Sequence, residues 1–190
     1  MNLVNKVGVL SIEGSNVTYD NMLDIPSAFN PYNIDMTPDG RFAVASHTGA
    51  QGINADAEVS IAAAGAHPHV AEITAPGTGA EGFTIAPNGK WAVTPLIEGS
   101  GAKPTAWNYT KGGHAVLMSV GTGGRLAVVD KAPIGALPEG IAFSRNSNYV
   151  YIGNFIDKNL QIFRIAAAKL IASGTMALPG QPASMRGPAR

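Results

Sequence analysis

Two glutamates, Glu81 and Glu139, stand at the same place in two copies of a recurring pattern. Paired carboxylates can act as acid and base, activate water or hold a divalent cation. In the other two copies that place is held by Tyr32 and Gln181. Other groups capable of chemistry fall in the connecting segments: Asn33, His47, Lys103, Trp107, Tyr109, His114 and Asn154. Glu81, Glu139 and His114 have the residue types of a general acid or base. Tyr32, Asn33, His47, Lys103, Trp107, Tyr109, Asn154 and Gln181 have those of ligand contacts. His67-Pro68-His69 presents two imidazoles but no third ligand nearby, and a zinc site needs at least three, so no metal site is assigned there. Ser46 and Ser147 lack the strand-turn-helix setting of a serine nucleophile.

The pattern that places these groups is short and repeated. Its copies begin at Pro31, Ala80 and Pro138, and a truncated fourth runs from Gln181 to Arg186. Asp39, Asn88 and Asn146 are equivalent, 49 and 58 residues apart. Each copy reads as two alternating strands about a turn, as in Ile34 to Thr37, then Pro38-Asp39-Gly40, then Phe42 to Ser46. Proline presets the turn's φ, and glycine after Asp or Asn accepts a positive one. Two further strands follow each copy: Glu58 to Ala63 and Val70 to Ala75, His114 to Val120 and Arg125 to Lys131, Asn159 to Ile165 and Lys169 to Leu178. A period of this length made of short strands predicts an all-β fold, the β-propeller, with four-stranded blades.

Composition agrees. Apolar residues make up 45% of the 190 and charged residues only 14%, with 23 Gly and 13 Pro. That describes β-structure with many tight turns. Net charge is zero and no basic cluster exists, which argues against nucleic acid as a partner. There is no cysteine for disulfides or thiol chemistry, and no apolar run is long enough for a membrane span.

The strand count predicts outer strands only in 1–29, as Val7 to Ile12 and Asn16 to Leu23. Complete blades are expected over 30–78, 79–136 and 137–180, and an inner strand alone, Ala183 to Met185, in 181–190. A ring left open exposes apolar faces at both ends, so completion is expected, by the missing blades of a longer protein or by a second copy. The longer protein is the favoured reading. A signal peptide upstream in it would make the protein periplasmic or secreted; otherwise it would be cytoplasmic.

Leu137-Pro138-Glu139-Gly140-Ile141-Ala142-Phe143-Ser144 followed by Asn148-Tyr149-Val150-Tyr151-Ile152-Gly153-Asn154 resembles the YVTN-type repeat, and the ending Leu178 to Arg186 resembles the terminal strand of bacterial lactonase-like seven-bladed propellers. The resemblance covers nearly the whole chain apart from 97–113, and it suggests the C-terminal half of such a ring. The first two copies depart from its Tyr-Val-Tyr core, with Phe42-Ala43-Val44 and Trp91-Ala92-Val93. It implies binding proteins or lactonases. In members that use Ca2+, acidic and Asn ligands lie in the channel, and Glu81, Glu139 and Asn33 are the nearest counterparts.

The expected function is therefore a binding or scaffold propeller that takes a small ligand, glycan or protein on its loop-bearing face. The alternative is a lactonase-type hydrolase, 6-phosphogluconolactonase-like or metal-assisted. That face carries the starts of the inner strands and the segments 47–56, 96–113 and 154–159, since ligands of propellers bind on loops held by the rigid scaffold.

Overall fold

The computed structural model describes residues 1–49, 56–62 and 68–187. His67 and the stretch 50–55 of the first long loop lie outside the described residues. The chain opens with four short strands: β1 (Lys6–Val7), β2 (Leu10–Glu13), β3 (Asn16–Tyr19) and β4 (Ile25–Pro26). β1 pairs with β4, and β2 forms a hairpin with β3. Between them Asn21–Leu23 turns as a 3-10 helix, so the outer strand expected to run to Leu23 stops at Tyr19. The cause is local: Asp20 caps the turn by accepting the Met22 N–H.

Three four-stranded antiparallel sheets follow, each in chain order from the inner strand outward. The first blade is β5 (Pro31–Met36), β6 (Phe42–His47), β7 (Asp56–Ala62) and β8 (His69–Gly77). The second is β9 (Thr84–Ile85), β10 (Trp91–Leu96), β11 (His114–Val120) and β12 (Leu126–Pro133). The third is β13 (Pro138–Phe143), β14 (Tyr149–Asn154), β15 (Asn159–Ala166) and β16 (Lys169–Ala177).

The turn between the first two strands of each blade is built three times from one chemistry. Asp39, Asn88 and Asn146 accept the N–H two residues on, from Arg41, Lys90 and Asn148, at 3.1, 2.9 and 3.1 Å. The next residue is left-handed in every copy: Gly40 at φ 69°, Gly89 at 67° and Ser147 at 62°. The serine is tolerated because it has a second task. Its Oγ accepts the Asn88 N–H at 3.0 Å and ties the third blade's turn to the second's.

Alternation along the strands divides each blade's side chains between two neighbours. In the second blade Ala92, Leu96, Val116 and Met118 pack with Val44 of the first. Val93, Ala115 and Leu117 pack with Ile141, Phe143, Val150, Ile152 and Phe163 of the third. Polar ties cross the same seams. Asp35 accepts the Ile85 N–H at 2.8 Å, and Asp130 accepts from Lys169 Nζ and the Leu170 N–H, both at 2.8 Å.

The ends differ from the middle. Leu10, Ile12, Val17 and Tyr19 of the β2–β3 hairpin are all more than half exposed. Residues 181–187 form no strand; they run beside the inner part of the third blade, where Gly140 and Gly153 leave room for Ser184, Met185 and Pro182. Among the described residues no helix is long and apolar enough to cross a membrane.

Candidate functional site

One backbone device repeats at the start of every inner strand. In β5 the ladder passes from Pro31 opposite His47 to Asn33 opposite Ser46, leaving Tyr32 as an extra residue. In β13 it passes from Pro138 opposite Asn154 to Gly140 opposite Gly153, leaving Glu139 extra. In the second blade Ala80 bridges Leu96 and pairing resumes at Thr84 opposite Val93, so Glu81 falls in the break. A bulged residue escapes the in-out alternation and re-aims its side chain.

A left-handed residue precedes each of the three pairings: Asn30 (φ 62°), Gly79 (77°) and Leu137 (48°). Their carbonyls accept the N–H groups of Thr48, Ile97 and Phe155 at 3.1, 2.9 and 3.1 Å. Such backbone costs a non-glycine residue about 1–2 kcal/mol, so Leu137 stores strain at the site.

The device brings Tyr32, Glu81 and Glu139 into one electrostatic group. Burial, then the charge of Glu139 and a hydrogen bond shared with it, push the Glu81 carboxyl up to about 7. Burial also raises Glu139, while the bond with Glu81 pulls it partly back. The charge on Glu81, then burial, then the charge on Glu139, raise the Tyr32 phenol. Glu81 Oε2 is shut off from solvent with no hydrogen-bond partner among the described residues. No ion pair reaches either glutamate among the described residues. Adjacent carboxylates without a cation cannot both ionise cheaply, which favours a proton on this pair.

The two glutamates line different cavities. Glu139 lines one of about 280 Å3 along the inner strands, with Asn33, Asp35, Thr84 and Ser184. Glu81 lines another of about 430 Å3, walled by Thr48, Glu98, Asn108 and Leu137. The long loop 97–113 roofs the second. Glu98 within it bonds His114 Nδ1 through Oε1 at 2.9 Å. Ser100 accepts the Leu137 N–H at 2.9 Å and fastens the loop to the third blade.

The other candidates are placed differently. His47 and Asn154 close the second strands of their blades and are each 1% exposed. His47 Nε2 lies 2.5 Å from Ser27 Oγ. Asn154 accepts the Gly135 N–H at 3.0 Å and donates to Asn159 and Gln161 at 2.8 and 3.3 Å. These bonds tie the strand ends to neighbouring segments, and neither residue lines the two cavities at the glutamates. Asn33 borders the inner cavity, but its Oδ1 accepts the neighbouring Ile34 N–H at 2.7 Å. Lys103, Trp107 and Tyr109 stand exposed on the 97–113 loop, and Gln181 is exposed beyond the third blade. His69 sits at the start of an outermost strand. Ser46 donates to the Glu81 carbonyl at 3.2 Å and thereby steadies the bulge.

Thr48 and Leu137 were not among the sequence candidates. The signal for them was present, because the repeat alignment matches Leu137 with Asn30 and Gly79, and Thr48 with Ile97 and Phe155. The burial of His47 and Asn154 was legible in the same way, since both align with Leu96.

Among the described residues no group of three His, Asp or Glu is arranged to hold a metal. Glu81, Glu139 and Asn33 offer two carboxyls and a carboxamide, short of the six to eight oxygens Ca2+ takes.

No family model and no curated protein matches the sequence. Solved structures do. A candidate 6-phosphogluconolactonase of Bacteroides fragilis superposes with a TM-score of 0.76 at 17% identity, over 95% of this chain and 51% of its own. A hydrazine synthase chain of Kuenenia stuttgartiensis gives 0.72 at 15%, over 96% and 58%. A β-propeller domain of Myceliophteria thermophila gives 0.68 at 11%, over 95% and 55%. The fold is a β-propeller. Identities this low establish the fold alone, and the chain spans about half the length of the structures it matches.

Proposed function

We propose that this propeller is a binding module that holds a small, neutral, polar ligand under the 97–113 loop. The observation that carries the reading is the Glu81/Glu139 pair, with Glu81 lining the cavity under that loop and Glu139 lining the one along the inner strands. A carboxyl that keeps its proton to about pH 7 offers a donor and an acceptor together, which suits hydroxyl and carbonyl groups better than ions. Calorimetric titration with hydroxylated ligands, wild type against Glu81→Gln and Glu139→Gln, tests it. Binding that weakens about tenfold in either variant supports the reading, and equal binding in all three proteins sinks it.

The raised Glu81 also favours a second reading, hydrolysis of a lactone. Ionised Glu81 would take a proton from water, whose oxygen adds to the ring carbonyl; the ring C–O bond then breaks and the leaving oxygen recovers the proton. Ring opening followed by pH-stat, with and without EDTA, discriminates the two. Turnover unchanged in Glu81→Gln removes Glu81 as the base.

The exposed apolar hairpin β2–β3 belongs, on this reading, against further blades of the ring, from the rest of a longer protein or from a second copy. Sedimentation analysis that finds a stable, folded monomer of this chain alone would contradict it.

A further inference from the structure

Glu98 is the second acidic residue that lines the cavity under the 97–113 loop, and it is fixed in place along its whole length. Its backbone is left-handed, at φ 52°. A glutamate keeps that conformation only where its surroundings impose it. Here the Glu98 N–H donates to the Thr78 carbonyl at 3.1 Å, and the Gly99 N–H donates to Thr110 Oγ1 at 3.1 Å. Gly79 lets the two segments pass closely, since a Cβ there would lie 3.1 Å from the Glu98 nitrogen. The carboxyl is held by its bond to His114, which is itself locked at the start of β11, opposite Leu96 and Pro133.

Charge around this cavity is one-sided. Glu81 and Glu98 line it, and among the described residues no Lys or Arg does. The sequence from 50 to 55, which follows Thr48 and Gly49, contains no Lys or Arg either. Lys103 and Lys111 of the roofing loop are exposed and line neither cavity, and Lys131 donates to the Pro76 carbonyl at 2.7 Å.

We infer that Glu98 sets the charge selectivity of the roofed cavity: with Glu81 it admits uncharged hydroxylated compounds and excludes their phosphorylated and carboxylated forms. This rests on the loop-covered cavity being the ligand site, and adds what that site turns away and the residue responsible. A phosphate monoester brings about two negative charges and a carboxylate one. Beside a fixed, partly buried carboxylate, such a charge costs about tenfold or more in affinity. A neutral hydroxyl meets no such repulsion and can donate to the carboxylate.

Matched pairs test it by calorimetry: glucose against glucose 6-phosphate, glycerol against glycerol 3-phosphate, and glucitol against gluconate. Wild type should bind the neutral member about tenfold or more tightly than the anionic one. That gap should narrow in about 0.5 M NaCl, because salt screens charge and leaves shape alone. Glu98→Gln keeps the size of the side chain and should close most of the gap at low salt; Glu98→Lys should reverse it. A merely structural role would weaken both members of a pair alike and leave the gap as it was. If wild type binds both members equally or prefers the anion, or if neither Glu98 variant changes the gap, the filter is refuted. The pocket reading then still stands where Glu81→Gln weakens the neutral member. If Glu81→Gln binds the neutral member like wild type while Glu98→Gln closes the gap, the Glu81 reading falls and the filter stands. If no member of any pair binds wild type, both fall together.

Discussion

The two ends of the blades were built under different constraints. At one end the turns at Asp39, Asn88 and Asn146 repeat one hydrogen bond and one left-handed residue with little variation. At the other, a shared bulge carries tyrosine in one blade and glutamate in two, and a single blade carries the long roof 97–113. One end registers strands, so its chemistry is uniform. The other end is free to vary once the bulge and its clamp are in place, and all the candidate chemistry lies there.

The contrast implies that turn substitutions change stability and leave ligand binding alone, while pocket substitutions act on binding first. Asn154→Ala is the severe exception. Although it sits at the varied end, it removes three part-buried hydrogen bonds and should cost about 2–3 kcal/mol in urea unfolding, with pocket binding intact. A loss of binding larger than the loss of stability would move Asn154 into the site.

Glu81 gives the next effect. Its carboxyl holds a proton to about pH 7 when folded, but only to its ordinary value of 4.5 when unfolded. Its contribution is complete below the lower value and is lost as pH rises through the upper one. After solvent screening the loss amounts to about 1–2 kcal/mol. Unfolding curves between pH 5 and 8 should show the decline in wild type and a flatter profile in Glu81→Gln. Parallel profiles would mean that no proton is shared.

Gly89→Ala places a side chain on left-handed backbone in the uniform turn and should cost about 1 kcal/mol without affecting binding. Ser147→Gly relieves the same strain but loses the acceptor for Asn88, so the two effects, each about 1 kcal/mol, should nearly cancel. The smallest change is His114→Ala. The pair with Glu98 is partly exposed on both sides and contributes at most about 0.5 kcal/mol. A larger loss would show that the roof helps hold the ring together.

The uniform end was legible in the sequence because its hydrogen bonds span two or three residues, and short-range chemistry selects residue types. Pro38-Asp39-Gly40 announces its turn for that reason. The bulges were not legible, since an extra residue in a ladder is defined against the strand opposite, as Glu139 is against Gly153 and Asn154. The repeat did place Glu81 and Glu139 at equivalent sites, but the proton they share depends on distance and burial. Ala183 to Met185 shows the other limit: a strand-like segment with no strand partner among the described residues stays unpaired.

The carbonyls of Asn30, Gly79 and Leu137 have a consequence for engineering. Each grips the chain just past the end of the second strand, at Thr48, Ile97 and Phe155. Whatever follows leaves from a fixed point in a fixed direction, whether the connection is four residues, as at 155–158, or seventeen, as at 97–113. The three sockets are interchangeable in principle. Grafting 98–113 onto the third blade after Phe155 would transplant an indole-bearing arm without re-cutting the sheets, and a scaffold with such sockets can acquire new specificities one loop at a time.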